Sequence, residues 1–155
     1  MTTDLPYRPC VGIVLVNADG LIFTGERIDT PGAWQMPQGG IDDGEDATAA
    51  AFRELEEETG VSAAHVRLLD ETQDWVLYDL PDHLVGKLWK GRFKGQKQRW
   101  YLMRFQGCDT DIQIKQAHQE FARWRWSTPD QVIANIVPFK QSVYQQVMNA
   151  FRDQL

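Results

Sequence analysis

Four glutamates fall within five consecutive residues of this chain, at positions 54, 56, 57 and 58. On a helix, Glu54, Glu57 and Glu58 stand at i, i+3 and i+4 and share one face, whereas Glu56 points roughly the other way. Like charges at this spacing destabilise a helix by about 0.2–0.5 kcal/mol per pair. Hard divalent cations prefer oxygen ligands and neutralise such repulsion. The pattern therefore indicates a metal-binding helix face, with a solvated acidic face as the alternative.

Three glycines precede this predicted helix: Gly39, Gly40 and Gly44. Glycines let the backbone approach a ligand closely and let N–H groups point at it. Phosphate oxygens are natural partners for a loop that leads into a helix N-terminus. An ordinary glycine-rich turn is the alternative. A phosphate-binding loop followed by a metal-binding helix face predicts chemistry on a metal-bound polyphosphate.

A basic segment contrasts with the net charge of -6. Residues 83–108 contain no Asp or Glu but hold seven of the sixteen basic residues, Lys87, Lys90, Arg92, Lys94, Lys97, Arg99 and Arg104. In an acidic protein such a stripe indicates an anionic ligand. The alternative is a solvated, charged edge strand, since lysines are common on sheet edges.

The elements that position these residues are predicted from hydrophobic periodicity and turn residues. Strands are predicted at 11–17, 21–27, 33–37, 98–105 and 121–126, with further strand material at 66–78. Helices are predicted at 46–59, 129–133 and 139–151. For the first helix, Asp42 or Asp43 is the predicted N-cap and Gly60 the C-terminal stop. The sequence predicts one domain, residues 1–155, of the α+β or α/β class with a mixed sheet.

The composition favours a cytoplasmic protein. No run of about 18 apolar residues is present, so no membrane segment is expected. The N-terminal stretch "MTTDLPYRPC" lacks the basic and apolar regions of a signal peptide. Two cysteines, Cys10 and Cys108, fit a reducing compartment.

A longer pattern connects the glycines to the glutamates. Gly39, five residues, Glu45, seven residues and then "RELEEETGV" at 53–61 resemble the Nudix box. This resemblance implies an α/β/α sandwich in which the box forms loop–helix–loop beside a mixed sheet. It also implies hydrolysis of a nucleoside diphosphate linked to another group, with more than one Mg²⁺ or Mn²⁺ ion.

The resemblance assigns roles by position within the box. Glu54, Glu57 and Glu58 are implied metal ligands, and the Gly39 carbonyl is implied to join them. Arg53 is implied to hold a glutamate in place, and Glu45 to be structural. Bound metal ions polarise phosphoryl oxygens and lower the pKa of a bound water. A glutamate then accepts the water's proton, with Glu57 ranked first as this base and Glu54 second.

The similarity extends beyond the box. The segments "YRPCVGIVLVN", "WQMPQGGI", "GQKQRWYL", "EFARWRW" and "VPFKQSVY" resemble bacterial RNA pyrophosphohydrolases and related dinucleoside polyphosphate hydrolases of bacteria and plants. Glu120 is thereby implied as a further metal-coordinating or catalytic carboxylate, with a loop charge as the alternative. The implied phosphate contacts are Arg8, Gln96, Lys97 and Gln98. The implied base-binding surface is Arg27, Val137, Phe139 and Lys140, although Phe139 could instead be a core residue.

Three functions are compatible with these patterns. The first is removal of pyrophosphate from 5′-triphosphorylated RNA, and the second is cleavage of dinucleoside polyphosphates. The third is a catalytically silent polyphosphate-binding module, which the intact set of box glutamates disfavours. DNA and membranes are not expected partners, and the sequence does not identify a protein activator.

Overall fold

The computed structural model describes residues 5–155. In that range eight strands form one sheet. They are β1 (Tyr7–Val16), β2 (Ile22–Arg27), β3 (Trp34–Gln35), β4 (Gln38–Gly40), β5 (Val66–Glu71), β6 (Val76–Asp79), β7 (Gly95–Phe105) and β8 (Phe121–Ser127). The α-helices are α1 (Ala47–Thr59), α2 (Pro129–Ala134) and α3 (Gln141–Phe151).

The sheet is mixed, as predicted, and is built around β1 and β7. These two strands pair in parallel, with Tyr7 opposite Gly95 and Val16 opposite Arg104. The other pairings are antiparallel: β1 with β2 and β4, β2 with β3 and β8, and β7 with β5 and β6. Because β7 has neighbours on both sides, the edge-strand interpretation is wrong for Lys97, Arg99 and Arg104.

Helices cover both faces of the sheet. On one face α1 buries Ala50, Ala51 and Leu55 against Val11 and Ile13 of β1. On the other face α2 and α3 pack against alternate residues of the same strands. Coverage on both faces explains why β1 is apolar along most of its length. The α/β/α sandwich is therefore confirmed.

The boundaries of α1 correct one prediction. Asp46 is the N-cap, and its side chain accepts a hydrogen bond from the Ala49 backbone N at 3.1 Å. The prediction of Asp42 or Asp43 was wrong because the chain makes one more turn before the helix begins. Gly60 ends the helix, as predicted, in the left-handed region at φ 74°.

Two other segments differ from the predictions. Gly39 and Gly40 do not lie in an open loop but in β4, opposite Val11 and Cys10 of β1. The last helix begins at Gln141 rather than Phe139, because residues 138–140 form one 3₁₀ turn.

Two further expectations concern the chain as a whole. No helix within residues 5–155 is long and apolar enough to cross a membrane. The single-domain prediction for 1–155 and the signal-peptide argument both include residues 1–4, which lie outside the described residues. Both therefore stay predictions.

Candidate active site

A cavity of about 690 Å³ opens where α1, β4 and the turn before α3 meet. It joins elements that are far apart in the chain. The predicted site residues that line it are Arg8, Arg27, Gly39, Glu54, Glu57, Glu58, Gln96, Glu120, Val137, Phe139 and Lys140. Arg53, Lys97 and Gln98, which were also predicted, are not part of its lining.

Arg53 holds two glutamates of the acidic face of α1 through hydrogen bonds. Its Nε and Nη2 donate to the two carboxylate oxygens of Glu45 at 2.8 and 2.9 Å. Its Nη1 donates to Glu54 at 2.8 Å and to Glu57 at 3.1 Å, and Nη2 also donates to the Gly40 carbonyl at 2.8 Å. These hydrogen bonds hold the pKa of Glu45 at about 2 and raise that of Arg53. One guanidinium therefore connects the helix start, β4 and two cavity-facing carboxylates.

Gly39 leaves room for one of these carboxylates. A Cβ at this position would collide with the carboxyl group of Glu54. Glycine therefore allows β4 and α1 to approach closely, and it places the Gly39 backbone beside the Glu54 side chain. This contact gives a structural reason for the glycine.

Two of the three α1 glutamates at the cavity, Glu54 and Glu58, are largely removed from solvent. The Glu58 residue is 7% exposed and accepts a hydrogen bond from the Gln38 backbone N at 3.0 Å. Burial raises its pKa well above the ordinary value, and the nearby Glu54 adds to this rise. Burial also raises the pKa of Glu54, against the opposing effect of Arg53. A nearby cation favours the ionised form of such carboxylates.

The glutamates are not arranged around one common point. Among residues 5–155, no three acidic, histidine or cysteine side chains adopt metal-binding geometry. Arg53 draws Glu54 and Glu57 towards itself, while Glu58 turns to β4. The structure thus places the three carboxylates in one cavity without converging them on a single position.

The polar segment at the start of β7 divides between the two faces of the sheet. Gln96 lines the cavity, and its side chain accepts a hydrogen bond from Gln98 at 2.7 Å. Gln98 is buried and accepts a hydrogen bond from Trp100 Nε1 at 2.8 Å. Lys97 points to the opposite face, where its Nζ lies 4.8 Å from the centre of the Trp75 ring. Gln96 is thus a cavity residue and Gln98 its support, whereas Lys97 lies outside the cavity.

Two arginines lie in the cavity wall, and one of them is paired with Asp29. Arg8 lies against Gly40 and over the Trp89 ring, 5.7 Å from its centre. Arg27 donates to both carboxylate oxygens of Asp29 at 2.7 and 2.6 Å. This fork holds the pKa of Asp29 at about 2 and fixes the guanidinium plane.

An aromatic and basic corner closes the cavity near α3. Phe139 is half-buried, and its ring centre lies 6.0 Å from that of Tyr78. Lys140 is 8% exposed, with Nζ 5.8 Å from the Tyr78 ring centre. Burial and the nearby Arg27 lower the pKa of Lys140 to about 8. The corner offers a planar apolar surface next to a cation.

Glu120 stands at the cavity rim. It is exposed and directly precedes β8, and its backbone carbonyl accepts a hydrogen bond from Ile28 N at 3.1 Å. This bond ties the residue to the end of β2, on the side of the cavity that holds Arg27.

Comparison with known proteins identifies the family. The family model described as NUDIX domain matches residues 6–147. The chain belongs to the Nudix family. The segment that holds Gly39, Glu45, Arg53 and the glutamates of α1 is thus its Nudix box.

The Nudix chain has similar relatives along its whole length. It is 59% identical to an RNA pyrophosphohydrolase of Dinoroseobacter shibae, with 100% of each chain covered. It is 58% identical to an RNA pyrophosphohydrolase of Novosphingobium aromaticivorans, with 96% of this chain and 94% of the relative covered. A C. elegans Ap4A hydrolase has a similar fold, with a TM-score of 0.70 at 21% identity, covering 96% of this chain and 99% of the other.

The Nudix cavity also includes residues that the sequence analysis did not select, among them Gln38, Tyr78, Leu84, Leu88 and Trp89. Strand alternation places Tyr78 on the same side of β6 as the core residue Val76, which predicts burial but not a place at the cavity. Leu84, Leu88 and Trp89 lie in an irregular connection, where the sequence has no periodic signal.

Proposed function

We propose that this protein removes pyrophosphate from the 5′-triphosphate end of RNA and so starts 5′-end-dependent RNA decay in the cytoplasm. One observation carries the proposal: a single cavity joins the acidic face of α1 to the corner formed by Phe139 and Lys140. The acidic face suits a polyphosphate with its cations, and the corner suits a nucleobase. The full-length relatives named RNA pyrophosphohydrolase support the same substrate.

Divalent cations, Mg²⁺ or Mn²⁺, are part of this proposal. The donor set fits them, because its side-chain ligands are carboxylates and because Glu58 is a buried carboxylate whose charge a cation would offset. The residues that would hold more than one ion are Gly39, Glu54, Glu57, Glu58 and Glu120. When bound, such ions polarise phosphoryl oxygens and lower the pKa of a bound water.

The chain's own residues supply orientation and proton transfer. Glu57 is our first choice for the base that takes the proton of the attacking water, because its side chain is 57% exposed. Glu54 is second, since its side chain is 13% exposed and Arg53 holds it. Arg8 and Gln96 lie in the same cavity and would contact phosphate oxygens.

Cleavage of dinucleoside polyphosphates is the competing activity of the same cavity. The rings of Tyr78 and Phe139 could receive an adenine as readily as an RNA base. A catalytically silent module is disfavoured, since Arg53 keeps two box carboxylates at the cavity.

Replacing Phe139 by alanine should separate the two substrates. We expect kcat/KM on triphosphorylated RNA to fall. The loss should correspond to about 1–3 kcal/mol of transition-state stabilisation, the usual value of one base–aromatic stack. The loss on diadenosine tetraphosphate should be smaller, because a longer and looser polyphosphate fixes its second base less well. Steady-state kinetics on both substrates measure the difference.

Lys97 provides the matched control for this variant. It is a basic residue near Gln96 in the sequence, yet its side chain lies on the opposite face of the sheet. Lys97→Ala should therefore change kcat/KM little on either substrate. Equal losses on both substrates for Phe139→Ala would mean that the ring serves the core or a shared adenine site.

Lys140 should give the enzyme an alkaline limit. With a pKa of about 8, its side chain in the free enzyme is cationic below this pH and neutral above it. As the pH rises, Lys140 loses its positive charge and its attraction for an anionic substrate. The value of kcat/KM should therefore fall by up to about tenfold between pH 7 and 9. The ionisable groups that act on Lys140 are Arg27, Cys10, Asp29 and Glu58. Burial raises the pKa of Cys10 to about 11, so its thiol is neutral between pH 7 and 9.

Two variants test this assignment. Lys140→Arg keeps its charge throughout this pH range and should remove the decline in kcat/KM near pH 8. Lys140→Met should be less active at pH 7 and should show no such decline. If kcat/KM still declined near pH 8 in both variants, the decline would belong to another group.

A further inference from the structure

The connection between β6 and β7, residues 80–94, forms one wall of the cavity and is called the flap below. Its two ends are tied together, because Leu80 N donates to the Lys94 carbonyl at 2.8 Å. Lys94 N in turn donates to the Pro6 carbonyl at 3.0 Å, which fixes the base of the flap to the start of β1. The flap therefore has a defined position beside the site.

The inner side of the flap is apolar. Leu84, Leu88 and Trp89 line the cavity together with Phe139. The Trp89 ring packs edge-to-face on Phe93, with ring centres 6.3 Å apart, and carries the Arg8 guanidinium on its face. The inner side thus extends the wall that is proposed to receive a base.

An unusual backbone separates the inner side from the outer side. Trp89 and Lys90 both adopt positive φ, at 51° and 58°. For residues other than glycine such a conformation costs on the order of 1–3 kcal/mol and persists only where the surroundings require it. Here it directs the Trp89 ring into the cavity, while the adjacent Lys90 remains exposed.

The outer side of the flap is basic. Lys87, Lys90 and Arg92 are exposed and do not line the cavity. Asp82 is the one acidic residue of the flap sequence. The part of the cavity rim beside β8 carries Glu120 instead. A polyanion that leaves the cavity is therefore attracted over the flap.

We propose that Lys87, Lys90 and Arg92 form a contact surface for RNA phosphates beyond the nucleotides held in the cavity. This inference rests on the proposed function and adds to it a preference for a longer chain. Such contacts are independent of base sequence and strongly salt-dependent, with a slope of about -0.7 per phosphate for a single strand. Three contacts should contribute about -2 to the slope of log K against log salt.

The test compares two substrates of different length. One is a 5′-triphosphorylated dinucleotide, and the other is a 5′-triphosphorylated RNA of about ten nucleotides, which is long enough to reach the flap. In the triple variant Lys87→Gln/Lys90→Gln/Arg92→Gln, kcat/KM on the long RNA should fall about tenfold, through KM, since exposed ion pairs are individually weak. The kcat of this variant on the long RNA should stay unchanged, and so should its kcat/KM on the dinucleotide.

A second triple variant controls for net charge. Arg67→Gln/Lys115→Gln/Arg152→Gln removes three exposed cations that lie outside the cavity and the flap. This variant should retain both the wild-type kinetics and the wild-type salt slope for binding the long RNA. In the flap variant, the slope of log K against log salt should be less negative by about 2.

Three outcomes would overturn the inference. They are equal losses in the two triple variants, an equal loss on dinucleotide and long RNA, or an unchanged salt slope in the flap variant. A failure of the proposed function looks different, because the wild-type protein would then release no pyrophosphate from either RNA. Binding of the long RNA to the two triple variants would still decide whether the flap contacts it.

Discussion

Glu57→Gln should lower kcat by about 100-fold or more while leaving the protein folded. The substitution keeps the side-chain volume and removes one carboxylate charge from the cavity. Changes outside the set of direct metal ligands already cost 10–100-fold in metal affinity or activity, so losing a ligand should cost at least as much. The free energy of unfolding should change by less than about 0.5 kcal/mol, because Glu57 is largely exposed and the lost repulsion with Glu54 offsets the weakened ion pair with Arg53.

Glu56→Gln is the matched control on the same helix. Glu56 is exposed and does not line the cavity, so its variant should turn over substrate at nearly the wild-type rate. Both variants are compared by initial rates at saturating Mg²⁺ and by urea unfolding. Near-wild-type turnover of Glu57→Gln under these conditions would remove Glu57 from the catalytic site.

Arg53→Lys should impair both stability and activity. Arg53 donates five hydrogen bonds, to Glu45, Glu54, Glu57 and the Gly40 carbonyl. Lysine keeps the charge but cannot reproduce the planar fork that grips Glu45. We expect a loss of about 1–3 kcal/mol in the free energy of unfolding. We also expect a roughly 10–100-fold lower kcat/KM, because Glu54 and Glu57 lose their orientation.

Arg123→Lys serves as the control for this change of head group. Arg123 also pairs with a glutamate, Glu26, at 2.8 Å, but its side chain is 69% exposed and lies outside the cavity. Its variant should change stability by less than about 1 kcal/mol and leave kcat/KM intact. If Arg53→Lys behaved in the same way, the five hydrogen bonds would not position the glutamates.

The sequence predicted the parts of the fold that depend on local pattern. The continuous apolar run of β1, the amphipathic α3 and the Gly60 stop of α1 each have a periodic or steric cause within a few residues. The acidic face of α1 follows from helix geometry alone, and the structure places all three of its glutamates at one cavity.

The features that were missed depend on tertiary contacts. β4 is a strand only because Gln38–Gly40 pairs with β1, and two glycines in three residues conceal that pairing. Three aspartates, Asp42, Asp43 and Asp46, are equally suited to cap α1. Asp46 takes this role because Glu45, tied to Arg53, holds the preceding turn through the Asp42 backbone N.

One site prediction could have been sharpened from the sequence. Side chains alternate between the faces of a strand, so Gln96 and Lys97 on β7 cannot both face one cavity. The inward position of Trp89 in the flap could not be predicted in this way. It depends on two consecutive residues in the left-handed region, for which the sequence has no signal.

The central claim is that triphosphorylated RNA is the preferred substrate of this cavity. The most direct test is a competition between 5′-triphosphorylated RNA and diadenosine tetraphosphate in one reaction with Mg²⁺, which gives the ratio of their kcat/KM values. We expect the ratio to favour RNA, with pyrophosphate as the released product and no release in the presence of EDTA. A ratio that favours diadenosine tetraphosphate, or release that continues without divalent cations, would contradict the account.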